Sequence, residues 1–457
     1  MHKLKDLCHI EKGATGIMKA VPGKYPMVGI AEERRTHTSY QFDAAAVIIP
    51  LVSSTGHGHA SLKRIHYQEG KFALGSILCA LVPKDPTELD PLYLYHYLDV
   101  YKEKLFVPLM RGMANVSLSM TSIGEVEVPV PTKAEQDEWV QKFEWVNEQQ
   151  EALTTELDHQ RALLKQLRQA ILQEAVQGKL SAAWRTKGVK MVSIASPQLE
   201  ALRKQVQEGQ ALARGLKSFK YKPSARIDLG GKTKGIENLN ALPEGWQWVS
   251  LGQICWSVSD GPHFSPRYVL DGVHMVSGRN ITLERGIDFD TAKYVSRQDY
   301  LEFIKRGKPD VGDVLLTKGG TTGVPAVVER DEEFCVWVHV AIIKLLREVV
   351  DPYYLKWALA SPQVYRQSQE QTHGIGNQDL GLTRMVYFAI PLPPIVEQRE
   401  IARMVAQLMK RTVELEDSLD APGLVATTLL QSVLSEAMGG PRLYATHGPA
   451  LSMAAEK

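Results

Sequence analysis

Cysteine is scarce in this 457-residue chain. Its four cysteines, Cys8, Cys79, Cys255 and Cys335, form no Cys-x-x-Cys pair and stand beside no metal-like histidine spacing. Buried thiols in a reducing compartment are the expectation, with no metal site. Long hydrophobic runs are missing too. None approaches the roughly 18 residues of a membrane helix. The opening Met1-His2-Lys3-Leu4-Lys5-Asp6 has no apolar stretch of the signal-peptide kind. The cytoplasm is therefore expected, with no membrane partner. An excess of one charge is also absent: 53 Lys and Arg face 52 Asp and Glu, a net charge of +1. Any phosphate-binding surface must come from local segregation of charge. One segment is segregated: residues 185–234 hold twelve basic side chains against Glu200, Glu208 and Asp228.

Catalytic signatures are lacking as well. No cofactor loop and no Asn/Asp-Pro-Pro-Tyr/Phe string is present, so methyl transfer by this chain is not expected. Lys318-Gly319-Gly320-Thr321-Thr322 lacks the glycine spacing and the Gly-Lys-Ser/Thr core of a nucleotide loop. Asp313 and Lys318 suggest a nuclease pair only superficially, since no second carboxylate follows at short spacing. His57-Gly58-His59 would need further metal ligands that the sequence does not cluster. No catalytic residue, cofactor site or metal site is expected.

What is present is length enough for two or three domains, and an internal duplication. GMANVSLSMTSIGEVEVPVPTKAEQ (112–136) lies over GIGNQDLGLTRMVYFAIPLPPIVEQ (374–398) at an offset of 262 without a gap. Asn115/Asn377, Leu118/Leu380, Pro129/Pro391, Glu135/Glu397 and Gln136/Gln398 are identical. DPLYLYHYL (90–98) matches DPYYLKWAL (351–359), and GSIL (75–78) matches GDVL (312–315). Each copy has a part rich in short β-type runs, such as 44–52 and 335–346. Pro-x-Pro at 129–131 and 391–393 is expected to stop the sheet, and a long helix follows each time.

The first helix carries a heptad seam: Trp139, Phe143, Val146, Gln150, Leu153, Leu157, Gln160, Leu164, Leu167, Ile171 and Glu174. The second carries Ile401, Val405, Leu408, Thr412, Leu415 and Leu419. It is expected to break at Ala421-Pro422-Gly423 and resume near Leu424. The fold expected is α+β: two mixed α/β domains, 1–131 and 242–393, separated by two long helices, 132–184 and 394–440. These helices are expected to form an antiparallel coiled coil with an internal pseudo-two-fold. A basic linker with a helical piece near 197–218 fills 185–241, and 441–457 is expected to be a flexible tail.

QRALLKQLRQAILQEAVQGKLSAAWR (160–185) closely resembles the central conserved region of Type I restriction–modification specificity subunits. LPEGWQWVSLGQI (242–254) is similar to the usual entry to a second target-recognition domain of that family, and IPLPPIVEQREIARMV (390–405) to the exit into its second conserved helix. Residues 52–85 and 110–118 resemble one recurring subtype of target-recognition domain. Family members often carry an LPEGW-like lead before the first domain, whereas this chain opens at LKDLCHI (4–10).

The resemblance implies a non-catalytic DNA-binding subunit whose two domains read the two halves of a bipartite double-stranded site. It implies docking of two modification subunits on the helices, which would bring S-adenosylmethionine and the methylation chemistry, and a separate motor–nuclease subunit for cleavage. The competing reading is a coiled-coil adaptor that binds protein instead of DNA. Base reading needs paired donors and acceptors, and phosphates need cations and hydroxyls on loops. The dense loops offer Arg34, Arg35, Thr36, Ser54, Thr55, His57, His59, Lys63 and Arg64 in the first domain. In the second they offer Arg279, Asn280, Lys318, Thr321 and Thr322, with His263 and Arg267 as weaker candidates.

Overall fold

The structure is a computed structural model that describes residues 1–16, 21–54, 60–112, 116–187, 196–213, 239–374 and 379–437. Two compact units emerge: Met1–Asp158 with Leu419–Lys457, and His159–Ser418. Both mix helix and strand.

In unit 1 the central sheet is built from β1 (Cys8–Lys12), β2 (Ala46–Pro50), β3 (His66–Gln68) and β4 (Leu78–Pro83). Its order is β1-β4-β2-β3, antiparallel throughout. All five residues of β2 are buried, so it reads as an unbroken apolar run. A second sheet joins Arg35–His37, Tyr25–Val28, Lys71–Leu74 and Phe42–Asp43, with the middle pair parallel. Helix α1 (Pro91–Phe106) starts where Asp90 accepts from the Leu92 and Tyr93 amides and Pro91 presets the first turn. Its Tyr93, Leu94, Tyr97 and Leu98 pack against Val47, Ile49 and Leu81 of the sheet.

Unit 2 repeats the ladder. Its β5 (Cys255–Asp260), β6 (Val314–Thr317), β7 (Pro325–Val327) and β8 (Val340–Leu345) lie in the order β5-β8-β6-β7, again antiparallel. Leu81 pairs Val47 in unit 1, and Ile343 pairs Val314 in unit 2. The strand β8 thus stands at the offset of 262 from β4, whereas β6 stands at 267 from β2. GDVL consequently opens the counterpart of β2, while GSIL runs into the start of β4 at Leu78, so their likeness is not a structural equivalence. Asp351 and Pro352 start a helix in unit 2, α4 (Pro352–Ala360), as Asp90 and Pro91 start α1.

Two further helices of this set are long. Helix α2 (Lys133–Val176) begins in unit 1 and ends in unit 2; α5 (Ile395–Ala437) begins in unit 2 and ends in unit 1. Between them α3 (Ser196–Ala213) lies in unit 2, where Leu199 is buried. The helix α5 is continuous through Ala421-Pro422-Gly423, against the break read from the sequence. One proline removes a single amide donor, and 43 residues of helix outweigh it here.

Both exits into the long helices use one device. The Gln136 side chain accepts from the Asp90 amide at 2.7 Å and donates to Glu88 O and Pro131 O. Gln398 does the same with the Asp351 amide, Val349 O and Pro393 O. Both glutamines are fully buried, which explains why a polar residue recurs there. In unit 1 His2–Lys3 pairs Glu127–Val128, and in unit 2 Gln247–Ser250 pairs Ala389–Leu392. Pro391 lies inside that second strand, opposite Trp248, and not beyond it. A two-stranded ribbon is all edge, so the missing donor breaks no ladder.

Candidate nucleic-acid interface

In unit 1 the structure brings the described parts of the candidate segments, 32–34, 53–54 and 61–68, into contact. Ser54 Oγ accepts from the Lys63 amide at 3.0 Å, and Ser53 and Ser54 bond to Ser61. Arg64 pairs with Glu32 at 2.8 Å. Arg34 spends its guanidinium inside the protein. It donates to Gln68 Oε1, Glu32 O and Tyr67 O and lies 3.4 Å from His66 Nδ1. Burial lowers the pKa of Arg34 and, with the Arg34 charge, pushes the His66 imidazole down to about 4. Arg35, Thr36 and Lys63 are exposed. Thr36 Oγ1 accepts from the Gly23 amide. Thr55, His57 and His59 lie outside the described residues, as do Asn115 and Asn377.

Unit 2 brings its candidates together differently. A β-carbon built on Gly278 would stand 3.6 Å from Gly319 O, so the 277–280 and 318–322 loops touch. Asn280 is buried, its Oδ1 accepting from the Ser277 amide and hydroxyl while its Nδ2 donates to Thr291. Arg279 beside it is exposed, and its side chain makes no hydrogen bond or ion pair among the described residues. Thr321 is exposed, whereas Thr322 is buried against Thr372 and Gln369. Lys318 is buried and ion-paired, with Asp379 at 2.9 Å and Asp260 at 3.6 Å. Asp260 also takes Arg306 at 2.8 Å and stands 3.2 Å from the His263 ring.

Asp313, the other half of the superficial nuclease pair, faces away to a buried ion pair with Lys344. Burial raises the pKa of Asp313 in spite of that lysine. Among the described residues no group of three or more His, Cys, Asp or Glu could hold a metal. The four cysteines are free and buried. No helix among the described residues is long and apolar enough to cross a membrane.

The helix seam is partly covered. Phe143, Val146, Ile171, Ile401 and Val405 are buried. Trp139, Leu153, Leu157, Leu164, Leu408 and Leu419 are half-buried. Leu167 and Leu415 are exposed, as is Leu163. In unit 2 the stripe advances from Leu164 to Arg168 and then to Ile171 and Leu172, one residue off the heptad read from the sequence. Arg168 makes the link, donating to Thr412 Oγ1 at 2.8 Å and to Glu416 at 2.6 Å.

Sequence reading missed the role of Glu397. It is fully buried and accepts from Ser181 at 2.7 Å, Arg185 at 2.6 Å and Trp246 Nε1 at 2.9 Å. Arg185 also donates to Gly178 O, where a positive φ of 70° favours glycine. Three separate sequence segments, around Gly178–Arg185, Trp246 and Glu397, therefore meet at one carboxylate.

Together the two like ladders, each leading into a long helix, define a duplicated protein of mixed helix and strand. The chain belongs to the family described as the Type I restriction modification DNA specificity domain, whose model matches residues 1–160 and 243–421. It is 24% identical over 363 residues to the Type I restriction enzyme EcoBI specificity subunit of Escherichia coli, covering 75% of this chain and 66% of that protein. It is 23% identical over 432 residues to the EcoDI specificity subunit of the same species, covering 92% of this chain and 82% of that one. A solved structure concerned with complex assembly and conformational transition of the type I R-M system shares the fold, with a TM-score of 0.57, 16% identity and 97% coverage of both chains.

Proposed function

We propose that this chain is the non-catalytic specificity subunit of a Type I restriction–modification complex in the cytoplasm, each unit reading one half of a bipartite DNA site. The observation that carries this reading is one ladder built twice with different loop ends. One scaffold places the loops, and different loops read different bases. The two long helices, as an antiparallel coiled coil related by a pseudo-two-fold, set the spacer. They also dock two modification subunits, which bring S-adenosylmethionine, and a motor–nuclease subunit completes the assembly. Exposed Leu163, Leu167 and Leu415 support docking on the helices. So does a groove of about 990 Å³ in unit 2, bordered by Leu172, Trp357 and Met409.

Co-expression with the modification subunits of its own operon, followed by methylome sequencing, tests the reading. Methylated adenine in a split motif is the expected result. Replacing 242–389 with the matching segment of a relative should then change one half-site and leave the other. A complex that forms but shows no salt-dependent DNA binding supports the adaptor reading instead.

A further inference from the structure

The duplicated ladder permits a comparison of equivalent positions. The Lys318 amide bonds to His339 O and its carbonyl accepts from the Leu380 amide. In unit 1 the Leu51 amide bonds to Ile77 O and its carbonyl accepts from the Leu118 amide. Asp379 bridges Gly319 and His373, while Ser117 bridges Val52 and Arg111. Asp260 pairs Ala341, and Lys12 pairs Cys79. Thus Lys318, Asp379 and Asp260 occupy the places of Leu51, Ser117 and Lys12.

Unit 1 closes this corner with no buried ion pair at those places. The fold does not require charge there. Yet unit 2 buries it: the side chains of Lys318 and Asp260 are 4% and 3% exposed. Burying such charges carries a desolvation cost, which the pairing only roughly offsets. Through Asp260 the arrangement reaches the exposed cation Arg306 and the His263 ring, and through Lys318 it reaches an accessible acceptor. The Asp379 carboxylate is 47% exposed. Its Oδ1 is held by Lys318, and its Oδ2 has no hydrogen-bond partner among the described residues. Its main chain is fixed by the His373 bridge and by Arg384, which donates to Asp379 O at 2.8 Å. It stands in the loop corner that also presents Arg279 and Thr321.

We propose that Asp379 is a specificity-determining residue of unit 2, accepting a hydrogen bond from the exocyclic amino group of a cytosine in the major groove. A carboxylate repels phosphate and thymine O4 but suits the cytosine N4 donor. The buried Lys318 is a positioning residue. It fixes the acceptor before DNA arrives, so little side-chain entropy is lost on binding. This rests on the DNA-reading function proposed above.

The test uses the assembled complex with its modification subunits. Methylome sequencing of wild type and Asp379→Asn is combined with binding to duplexes that carry C:G or T:A at each position of the half-site assigned to unit 2. One position should lose about 10- to 100-fold of its preference for cytosine, the worth of one charge-assisted hydrogen bond. The other half-site should stay unchanged. Lys318→Leu, which installs the unit 1 residue, should loosen the same position more weakly. It serves as the second variant if Asp379→Asn does not fold. A folded Asp379→Asn complex with the wild-type motif and undiminished preference overturns the proposal. So does a wild-type half-site without a C:G pair. A wild-type complex that yields no split motif sinks the DNA-reading function itself, and shows this before any variant is made.

Discussion

Unit 1 and unit 2 share a backbone plan and differ in where they keep polar groups. The shared parts are the ties: the glutamine at each helix exit, the Asp-Pro helix start, and the order of four strands. The unshared parts are buried charges. In unit 2 Lys344 and Asp313 pair within the sheet, where unit 1 has Val82 and Ala46. Trp357 of α4 stands where α1 has His96. A scaffold that tolerates Val and Ala at a site does not need an ion pair there to fold. The comparison separates what the architecture demands from what each copy has added.

The largest expected contrast lies at a residue the two copies share by name. Glu135 and Glu397 are identical in the repeat, but Glu135 is exposed and accepts only from Thr132 at the start of α2. Glu397 is buried beneath Arg185, Ser181 and Trp246. Removing one partner of a buried pair typically costs about 3–5 kcal/mol, because the other charge is left uncompensated. Losing a surface capping contact costs about 1 kcal/mol or less. Thermal denaturation of the complex, resolved by hydrogen exchange, should show Glu397→Ala destabilising unit 2 several-fold more than Glu135→Ala destabilises unit 1. Equal losses would mean that the junction at Glu397 contributes little.

The second contrast converts one copy toward the other. Lys344→Val alone strands Asp313, with Arg347 4.0 Å away as its nearest remaining cation. A loss of about 3 kcal/mol or more is expected. Adding Asp313→Ala completes the unit 1 pair and should recover most of it, since the two sites are in contact and couple. A double variant no better than the single would show that the ion pair is needed by the packing of unit 2.

Much of this architecture was legible in the sequence because repetition carries its own register. The offset of 262, found from identical residues at 112–136 and 374–398, is the offset at which β8 stands to β4. The long helices were legible from their seams. The one-residue advance at Arg168 was not, because an arginine on an apolar stripe reads as surface until its partner Thr412 is seen. The loop residues were the least legible. Arg34, Arg35, Arg279 and Lys318 look alike as cations on loops. Yet Arg34 and Lys318 are occupied inside the protein, and Arg35 and Arg279 are exposed. Composition gives the type of side chain, whereas its partners are set by strands far away in the chain.

A third contrast is one of pH. Burial pushes His66 and His96 of unit 1 down to about 4. Unfolded histidine titrates near 6.5. Between those values the unfolded chain binds more protons than the folded one, so stability falls as pH falls. Trp357 replaces His96 in unit 2 and does not titrate. Unit 1 should therefore lose protection against hydrogen exchange first as pH drops from 6.5 toward 4, and His96→Phe should flatten part of that loss. Exchange protection that falls at the same pH in both units would leave carboxylates, not these histidines, in charge of acid unfolding.

The smallest expected effect separates two arginines. Arg279 is exposed, with no side-chain hydrogen bond or ion pair among the described residues, so its charge is available to a phosphate. Neutralising one phosphate releases counterions and contributes about 0.9 to the slope of log K against log salt. Arg279→Ala should therefore weaken DNA binding by the assembled complex a few-fold at moderate salt and lower the slope by about one. The motif should stay the same, because a phosphate contact carries no sequence information. Arg34→Ala should behave in the opposite way. Its donors are committed to Gln68, Glu32 and Tyr67, so its loss loosens the entry to the edge strand that begins at Arg35 and leaves the count of phosphate contacts nearly as it was. The expected result is a lower melting temperature for unit 1 and a nearly unchanged slope. If Arg34→Ala lowers the slope and Arg279→Ala does not, the guanidinium of Arg34 must leave its internal partners when DNA binds, and the free loop geometry of unit 1 is not the one that meets DNA.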